Sequence, residues 1–283
     1  MIISVASGKG GTGKTTISTN LALSVSRAGQ QVQYIDCDVE EPNGHIFLKP
    51  VIDGAEDVTV GVPEVDLKKC TGCGKCGQLC QYSAIVCVKG SVLVFEQLCH
   101  SCGGCMAVCP ANAIAEKQRK IGIAEFGSSY GIAFGHGKLN IGAIQSPAVI
   151  RYVKRKIKND SIVLLDAPPG TSCPVIEAVK GSDFVLLVTE PTPFGLNDLE
   201  LAVGVARELN LPFAVAINRS DIGDDRVVRY CQKEGIEVLL EIPNDRRIAE
   251  SYSRGEMIIE SIPEYSTKFL QLYERIKSTA GVK

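Results

Sequence analysis

The chain has 283 residues, of which 45% are hydrophobic and 22% charged, and its formal net charge is -2 at pH 7. These values indicate a globular protein with a sizeable core, and they give no support for a basic nucleic-acid-binding surface. No apolar run is long enough to span a membrane, and residues 1–6 lack the basic start of a secretion signal. We therefore expect a cytoplasmic protein that binds neither nucleic acid nor a membrane.

Residues 1–6 are predicted to form a buried strand, and they lead into the glycine-rich stretch Gly-Lys-Gly-Gly-Thr-Gly-Lys-Thr at 8–15. This stretch fits the phosphate-loop pattern G-x-x-x-x-G-K-[ST], in which backbone N–H groups bind phosphate oxygens. Lys14 is predicted to neutralise the β- and γ-phosphates, and the Thr15 hydroxyl to bind Mg²⁺. The predicted nucleotide-binding residues here are Gly8, Lys9, Gly10, Gly11, Thr12, Gly13, Lys14, Thr15 and Thr16.

The next elements continue an α/β pattern and then interrupt it. A helix is predicted over 14–28 and a second strand over 32–35, which ends at Asp36-Cys37-Asp38. A strand, a helix and a strand within about forty residues form a βαβ unit and hence a parallel sheet. Residues 39–62 are then predicted to form a loop, because prolines, glycines and acidic residues are scattered through them.

Eight of the twelve cysteines occur in two runs with the same C-x2-C-x2-C-x3-C spacing. The runs begin at Cys70 and Cys99, and residues 70–85 match residues 99–114 at an offset of 29, which indicates an internal duplication. This spacing is typical of bacterial ferredoxins with two 4Fe-4S clusters, where the fourth cysteine of each run ligates the other cluster. The predicted ligand sets are Cys70, Cys73, Cys76 and Cys109 for one cluster, and Cys99, Cys102, Cys105 and Cys80 for the other.

Twelve cysteines in one chain can also indicate disulfide bonds or zinc sites. A disulfide scaffold suits small secreted proteins rather than a chain of this size. Structural zinc sites also use C-x2-C, but the duplicated four-cysteine spacing favours iron–sulfur clusters. The clusters themselves could serve as an electron relay or have a purely structural role, and the sequence leaves both open.

After residue 119 the α/β alternation returns. Strands are predicted at 121–126, 132–134, 162–165, 184–188, 214–217 and 238–240, and helices at 148–158, 195–209, 225–234 and 264–277. Continuous apolar strands between helices indicate a doubly wound, mostly parallel sheet that is buried on both faces. The predicted organisation is a discontinuous nucleotide-binding domain over 1–62 and 119–283, interrupted by an α+β ferredoxin-like domain over 63–118.

Lys9, near the start of the phosphate loop, resembles the extra lysine of the deviant Walker A motif in the MinD/ParA family of P-loop ATPases. The resemblance implies that Lys9 reaches the partner's phosphates in a nucleotide-dependent homodimer. Asp36-x-Asp38 resembles switch I, which implies that Asp38 polarises the attacking water. The stretch from Asp166 to Gly170 resembles switch II, which implies that Asp166 holds the Mg²⁺ shell. The predicted catalytic residues are therefore Lys9, Lys14, Asp38 and Asp166.

Further residues follow from the same resemblance. The family recognises adenine in loops late in the chain, which here implies Asn218, Arg219, Pro243 and Asp245. Cys173, seven residues after Asp166, is similar in position to a cysteine that ligates a shared cluster in the nitrogenase iron protein, a member of this family. Its usual second cysteine is missing near residues 135–137, so Cys173 is either a bridging ligand, with His136 as a candidate companion, or a small buried side chain. Three further cysteines are expected in the core and two histidines in solvent: Cys37, Cys87, Cys231, His45 and His100.

The function that these predictions favour is an ATP-hydrolysing iron–sulfur protein whose nucleotide state governs electron transfer to an unidentified redox partner. An alternative is a cluster carrier like the Mrp branch of the family, which would need an acceptor protein, although the C-terminal C-x-x-C of that branch is absent. A further alternative is a positioning ATPase like MinD with structural clusters. That alternative needs a membrane-binding stripe on the last helix, where Phe269, Leu270, Leu272, Tyr273 and Ile276 either face a membrane or pack on the sheet.

Overall fold

The computed structural model describes residues 1–158 and 160–281. Eleven strands are described: β1 (Ile2–Ala6), β2 (Val32–Asp36), β3 (Val51–Val65), β4 (Ile85–Val88), β5 (Ser91–Val94), β6 (Ile114–Ser129), β7 (Ile132–Leu139), β8 (Ile162–Asp166), β9 (Phe184–Thr189), β10 (Phe213–Asn218) and β11 (Val238–Ile242). The helices are α1 (Lys14–Arg27), α2 (Gly44–Leu48), α3 (Lys75–Leu79), α4 (Gly104–Ala107), α5 (Ser146–Lys154), α6 (Cys173–Val179), α7 (Pro193–Glu208), α8 (Arg226–Glu234), α9 (Arg246–Ser253), α10 (Ile258–Ser261) and α11 (Glu264–Thr279).

Nine of these strands form one sheet in the order β11-β10-β9-β1-β8-β2-β7-β6-β3. The seven strands from β11 to β7 are mutually parallel, whereas β6 pairs antiparallel with both β7 and β3. Helices cover both faces: α1, α10 and α11 pack on one, and α5, α6, α7 and α8 on the other. The central strands are mostly apolar because both of their faces are buried. The predicted doubly wound, mostly parallel α/β fold is therefore confirmed.

The region of residues 39–62, which the sequence predicts to be a loop, is mostly structured. It contains α2 and most of β3, which pairs with β6 from Val51↔Ser128 to Val65↔Ile114. β3 is the last strand of the sheet, so many of its side chains are exposed and only Val58, Val62 and Pro63 are buried. An edge strand tolerates glycine and proline, and the glycines and proline of β3 are the reason that the sequence pattern predicted a loop there.

Strands β3 and β6 form a two-stranded ribbon, and residues 66–113 connect the end of β3 to the start of β6. At this junction Asp66 N donates to Ala113 O at 2.7 Å. We call residues 66–113 the cysteine-rich segment. It contains the short helices α3 and α4 and the hairpin of β4 and β5. The predicted boundaries, 63 and 118, fall inside the paired strands.

The internal duplication is repeated in the backbone of the cysteine-rich segment. Left-handed φ angles occur in pairs 29 residues apart: 66° at Gly72 with 56° at Ser101, 76° at Gly74 with 72° at Gly103, and 52° at Ser83 with 46° at Asn112. Gly74 and Gly103 each precede one of the short helices. The two halves of the segment are therefore copies in backbone conformation as well as in sequence.

The last helix, α11, packs against the body of the protein. Phe269, Leu272, Tyr273 and Ile276 are buried in the core, and only Leu270 of the predicted stripe is exposed. The apolar stripe is thus a packing face rather than a free membrane-binding surface. Within residues 1–158 and 160–281, no helix combines the length and the apolar character needed to cross a bilayer.

Candidate functional site

The phosphate loop connects the end of β1 to the start of α1, at the carboxyl edge of the parallel strands, where doubly wound sheets bind ligands. Gly13 has a φ angle of 94°, and a Cβ atom there would lie 2.5 Å from Asn218 Nδ2. Glycine therefore fits both the backbone and the space. The Asn218 amide donates to Thr12 O at 2.9 Å and so ties the loop to the end of β10.

Asp36 is the acid that organises the first switch. Its carboxylate accepts hydrogen bonds from the backbone N–H groups of Asp38 (3.0 Å), Asn43 (3.0 Å) and Gly44 (2.8 Å). These bonds hold the turn after β2 and the start of α2. The resemblance assigned no specific role to Asp36, so the structure adds a positioning residue to the predicted switch.

Asp166 lies beside Asp36 in the register of β2 and β8. Tyr34 Oη donates to Asp166 Oδ2 at 2.9 Å, whereas Asp166 Oδ1 is buried without a hydrogen-bond partner among the described residues. Thr15 lines the adjoining cavity. An unpartnered carboxylate oxygen beside a hydroxyl group suits Mg²⁺, which prefers oxygen ligands and bound water. Asp166 and Thr15 therefore fit the predicted metal.

The charged groups of the site have displaced pKa values. Burial lowers the pKa of the Lys14 ammonium, although three nearby carboxylates, led by Asp166, oppose the shift. Burial also raises the pKa of the Asp38 carboxyl to about 6 and raises that of Asp166, an effect that Thr15 and Lys14 partly offset. Such shifts are typical of functional sites, where charged groups are held out of water to meet a charged ligand.

A cavity of about 490 Å³ extends from the phosphate loop to the predicted base-binding residues. Asn218, Arg219, Pro243 and Asp245 all line it together with Lys14 and Thr15. Of the other predicted loop residues, Gly10, Gly11, Gly13 and Thr16 also line it. The structure thus brings these two groups, which are about 200 residues apart in sequence, into one pocket of the size usual for small ligands.

The lining residues that were not predicted from the sequence include Ile248, Ala249 and Tyr252 of α9, together with Glu41 and Asn43 after the first predicted switch. The three residues of α9 form a group of their own. Their spacing places them on one face of a helix, and they follow the predicted Pro243–Asp245 loop directly. This spacing is the only sequence signal that could have found them. Asp245 also caps α9 by accepting from Arg247 N at 2.9 Å.

Not all of the predicted residues line the nucleotide cavity. Gly8 lies close to the backbone of Asp198, because a Cβ atom added at Gly8 would be 2.0 Å from Asp198 O. Thr12 is buried. Lys9 is exposed, with Nζ 5.9 Å from the ring centroid of Phe194. Cys173 is exposed at the start of α6, so it is not the small buried side chain that the sequence left as an alternative.

The histidines and the remaining cysteines differ in part from expectation. Cys37 and Cys231 are buried as predicted, but Cys87 is half-buried, with Sγ donating to Gly72 O at 3.4 Å. His136 is 1% exposed and pairs with Glu125 Oε2 at 2.8 Å, so it does not accompany the exposed Cys173. His45 is half-buried against the His136 ring rather than solvated.

The eight cysteines of the two runs gather around two small cavities. Cys80, Cys99, Cys102 and Cys105 line one of about 100 Å³. Cys70, Cys73, Cys76 and Cys109 line the other, of about 20 Å³. Each cavity thus combines three cysteines of one run with the last cysteine of the other, and these are the two sets that the spacing predicts. Ligation of clusters by these sets stays a prediction.

The surroundings of these thiols shift their pKa values in both directions, and burial raises the pKa values of Cys76 and Cys105. Burial raises the pKa of the Cys80 thiol, but backbone N–H groups of residues 82–85 outweigh it and lower the pKa overall. A thiolate is the form that ligates metal. Among the described residues, no three histidine, cysteine or acidic side chains converge on a single metal ion. A four-iron cluster takes one iron per thiolate, so its four ligands stand farther apart than those of one ion.

The start of α5 contacts both the first switch and the cysteine-rich segment. Ser146 Oγ donates to Glu40 Oε1 at 2.6 Å, and the adjacent Gln145 side chain donates through Nε2 to the carbonyl oxygen of Cys99. Glu40 lies two residues after Asp38. Two consecutive residues therefore connect the turn that follows Asp38 with the backbone of a predicted cluster ligand.

Comparison with known proteins agrees with this architecture. The CobQ/CobB/MinD/ParA nucleotide binding domain family matches residues 3–258. An uncharacterized protein of Methanocaldococcus jannaschii is 33% identical over 271 residues, covering 92% of each chain. A protein of Aquifex aeolicus named iron-sulfur cluster carrier protein is 25% identical, over 93% of this chain and 63% of its own length.

A solved structure has the same fold. The septum site-determining protein MinD of Pyrococcus horikoshii, complexed with Mg-ADP, superposes with a TM-score of 0.62 at 21% identity, covering 99% of this chain and 97% of that one. Because the family model covers residues 3–258, this chain belongs to the CobQ/CobB/MinD/ParA nucleotide-binding family and is a P-loop NTPase of the MinD/ParA type.

Proposed function

We propose that this protein binds and hydrolyses ATP, holds two 4Fe-4S clusters in its cysteine-rich segment, and couples the two through the start of α5. The observation that carries the proposal is the pair of contacts made by Ser146 with Glu40 and by Gln145 with Cys99. The clusters, when bound, supply one-electron chemistry. The coupling makes electron delivery to a redox partner depend on the nucleotide state.

The residues around the phosphate loop have distinct roles in hydrolysis. Lys14 and the loop N–H groups bind the β- and γ-phosphates and stabilise the negative charge that develops during phosphoryl transfer. Asp38 orients and polarises the attacking water, and Tyr34 fixes the orientation of the Asp166 carboxylate. Mg²⁺, when bound by Thr15 and through Asp166, neutralises phosphate charge.

The exposure of Lys9 supports a homodimer that forms only with nucleotide. The Lys9 side chain is exposed, does not line the cavity of its own chain, and lies beside the exposed ring of Phe194. It is therefore free to reach the phosphates of a second copy. Closure of such a dimer would rearrange the turn after β2, and the contacts of α5 would carry that change to the cysteine-rich segment.

The test is anaerobic purification followed by electron paramagnetic resonance and redox titration, with and without Mg-ATP. We expect two reducible 4Fe-4S centres, and a shift in the potential of the centre near Cys99 when ATP is added. Typical coupling free energies correspond to changes of about 5- to 150-fold in an equilibrium constant. The matched variants are Gln145→Ala, which removes the contact with Cys99, and Lys14→Ala, which weakens nucleotide binding.

Coupling through α5 requires that Gln145→Ala keep both clusters and ATP binding but lose most of the shift. An unchanged shift in Gln145→Ala would move the coupling elsewhere. No shift in the unaltered protein, although ATP binds, would leave the clusters structural or independently used. Zinc, or no metal, in oxygen-free preparations would remove the iron–sulfur half of the proposal.

A second candidate function is delivery of a cluster to an acceptor protein. It is favoured by the similarity to the Aquifex aeolicus protein of that name and by the exposure of Cys173. Incubation with an apo-ferredoxin distinguishes the two functions. A carrier loses iron to the acceptor at a rate that Cys173→Ser lowers, whereas an electron-transfer protein keeps its iron and only reduces a holo acceptor.

A further inference from the structure

The nucleotide cavity has an apolar wall formed by one face of α9. Ile248, Ala249 and Tyr252 line this wall, in the same cavity of about 490 Å³ as the phosphate loop. Tyr252 is 47% exposed although it is a large aromatic side chain. An aromatic ring exposed inside a ligand cavity is available for stacking on a flat ligand.

Two polar side chains at this end of the cavity, those of Asn218 and Asp245, already make hydrogen bonds within the chain. The Asn218 side chain donates to Thr12 O and accepts from Arg219 N, at 2.9 and 3.0 Å. Both carboxylate oxygens of Asp245 accept hydrogen bonds from Arg247. Part of the polar capacity of these two side chains is thus used within the chain, and an apolar or aromatic surface would add to the binding energy of a base.

Tyr252 is also in contact with the first switch region. Its ring centroid lies 5.0 Å from that of Phe47, at an interplanar angle of 43°. Phe47 is buried on α2, and the first residue of that helix, Gly44, donates its N–H to Asp36. The ring of Tyr252 is thus supported by the helix that follows the switch aspartates.

We propose that Tyr252 is the platform on which the purine ring of the bound nucleotide stacks, and that its contact with Phe47 ties base occupancy to α2. The inference rests on the proposed nucleotide binding and adds the residue that favours a purine over a smaller base. Base–aromatic stacking contributes about 1–3 kcal/mol by alanine substitution, which corresponds to about 5- to 150-fold in affinity.

The first experiment uses the absence of tryptophan from the chain. Tyr252→Trp introduces a single indole, whose fluorescence should change when ATP is added but not when inorganic triphosphate is added. The matched control is Tyr130→Trp, because Tyr130 is 46% exposed and lies outside the cavity. A change with triphosphate alone, or an equal change in the control, would overturn the assignment of a base platform.

The second experiment compares affinities in Tyr252→Ala and Tyr252→Phe by calorimetry. We expect Tyr252→Ala to bind ATP about 5- to 150-fold more weakly and to lose preference for ATP over CTP, while its affinity for inorganic triphosphate is unchanged. Tyr252→Phe should bind ATP as the unaltered protein does, because the ring is retained.

These measurements separate the platform from the proposed function itself. Equal ATP affinity in Tyr252→Ala and the unaltered protein refutes the platform and leaves nucleotide binding intact. A parallel loss of ATP and triphosphate affinity refutes it as well, because the effect would then lie in the phosphate loop. Failure of the unaltered protein to bind either ligand refutes both the platform and the proposed function.

Discussion

The α/β body and the cysteine-rich segment differ in how much apolar surface they bury. The body buries apolar side chains on both faces of its sheet, such as Leu21 and Phe269 on one face and Val163 and Val185 on the other. The cysteine-rich segment adds little to a core, and several of its large apolar side chains are exposed, namely Leu67, Leu79, Tyr82, Val88, Leu93, Phe95 and Leu98. A segment of this size with little core often needs bound metal for stability, so under the proposed function we expect the body to fold through apolar burial and the segment through cluster ligation.

The sharpest way to break this comparison is to remove the clusters. After anaerobic treatment with an iron chelator and an oxidant, residues 66–113 should lose nearly all protection from amide hydrogen exchange. The central strands β1, β8 and β9 should keep theirs, because their burial does not involve metal. Treatment with a magnesium chelator alone is the control. Protection that persists in the segment would contradict its dependence on clusters.

The Lys14→Ala variant tests whether the clusters are retained when the phosphate loop is impaired. We expect ATP to bind about 10- to 100-fold more weakly, because a hydrogen bond to a charged group is lost. Iron content and the cluster absorbance should stay as they are. Affinity is measured by calorimetry and iron by colorimetric assay. Loss of iron in this variant would show that the two regions fold as one unit.

Asp38 should make ATP hydrolysis and stability respond to pH in opposite ways. Its pKa is raised to about 6, so kcat/KM should fall as the pH drops below about 6 and Asp38 becomes protonated. The raised pKa also means that the charged form destabilises the fold, fully above pH 6 and not at all below the unfolded value of about 4.

Asp38→Asn should therefore abolish hydrolysis yet raise the free energy of unfolding at pH 8 by about 1–3 kcal/mol. Denaturant unfolding at pH 8 measures the gain, and Asp53→Asn, which changes an exposed aspartate on β3, is the comparison. If Asp38→Asn made the protein less stable, favourable contacts of the Asp38 carboxylate would outweigh the free-energy cost of burying its charge.

The Ser146→Ala variant tests the contact between the two regions, and we expect it to change stability and cluster potential least. Loss of its hydrogen bond to Glu40 should cost about 1 kcal/mol of stability and reduce, without abolishing, the ATP-dependent shift in cluster potential. Thermal unfolding and redox titration measure the two effects. Ser278→Ala, an exposed serine far along the chain on α11, is the control. Equal results for both variants would exclude Ser146 from the coupling.

Local patterns made much of this architecture predictable. The phosphate loop, the aspartates that follow β2 and β8, and the alternation of strands and helices all depend on residues close together in sequence. The cross-arrangement of Cys80 and Cys109 is also predictable, because a duplicated run implies a two-fold arrangement of its copies. Strand β3 was missed because an edge strand lacks the continuous apolar signal of a buried one.

Contacts between distant residues were not predictable. Gln145 carries no motif, and its role depends on the carbonyl of Cys99, which is 46 residues away in sequence. Tyr252 gains its place beside Phe47 only when α9 docks next to α2. Neither contact leaves a periodicity or spacing in the sequence.

The sequence alone determined which functional groups the protein contains: a phosphate loop, two predicted switch carboxylates and eight cysteines at ligand spacing. Those features follow from short-range backbone geometry, which a few neighbouring residues specify. The tertiary structure decided which of the groups meet, because strand order and helix docking bring together residues that the chain keeps far apart. Helix docking also formed the apolar wall of the nucleotide cavity and placed the start of α5 in contact with both regions.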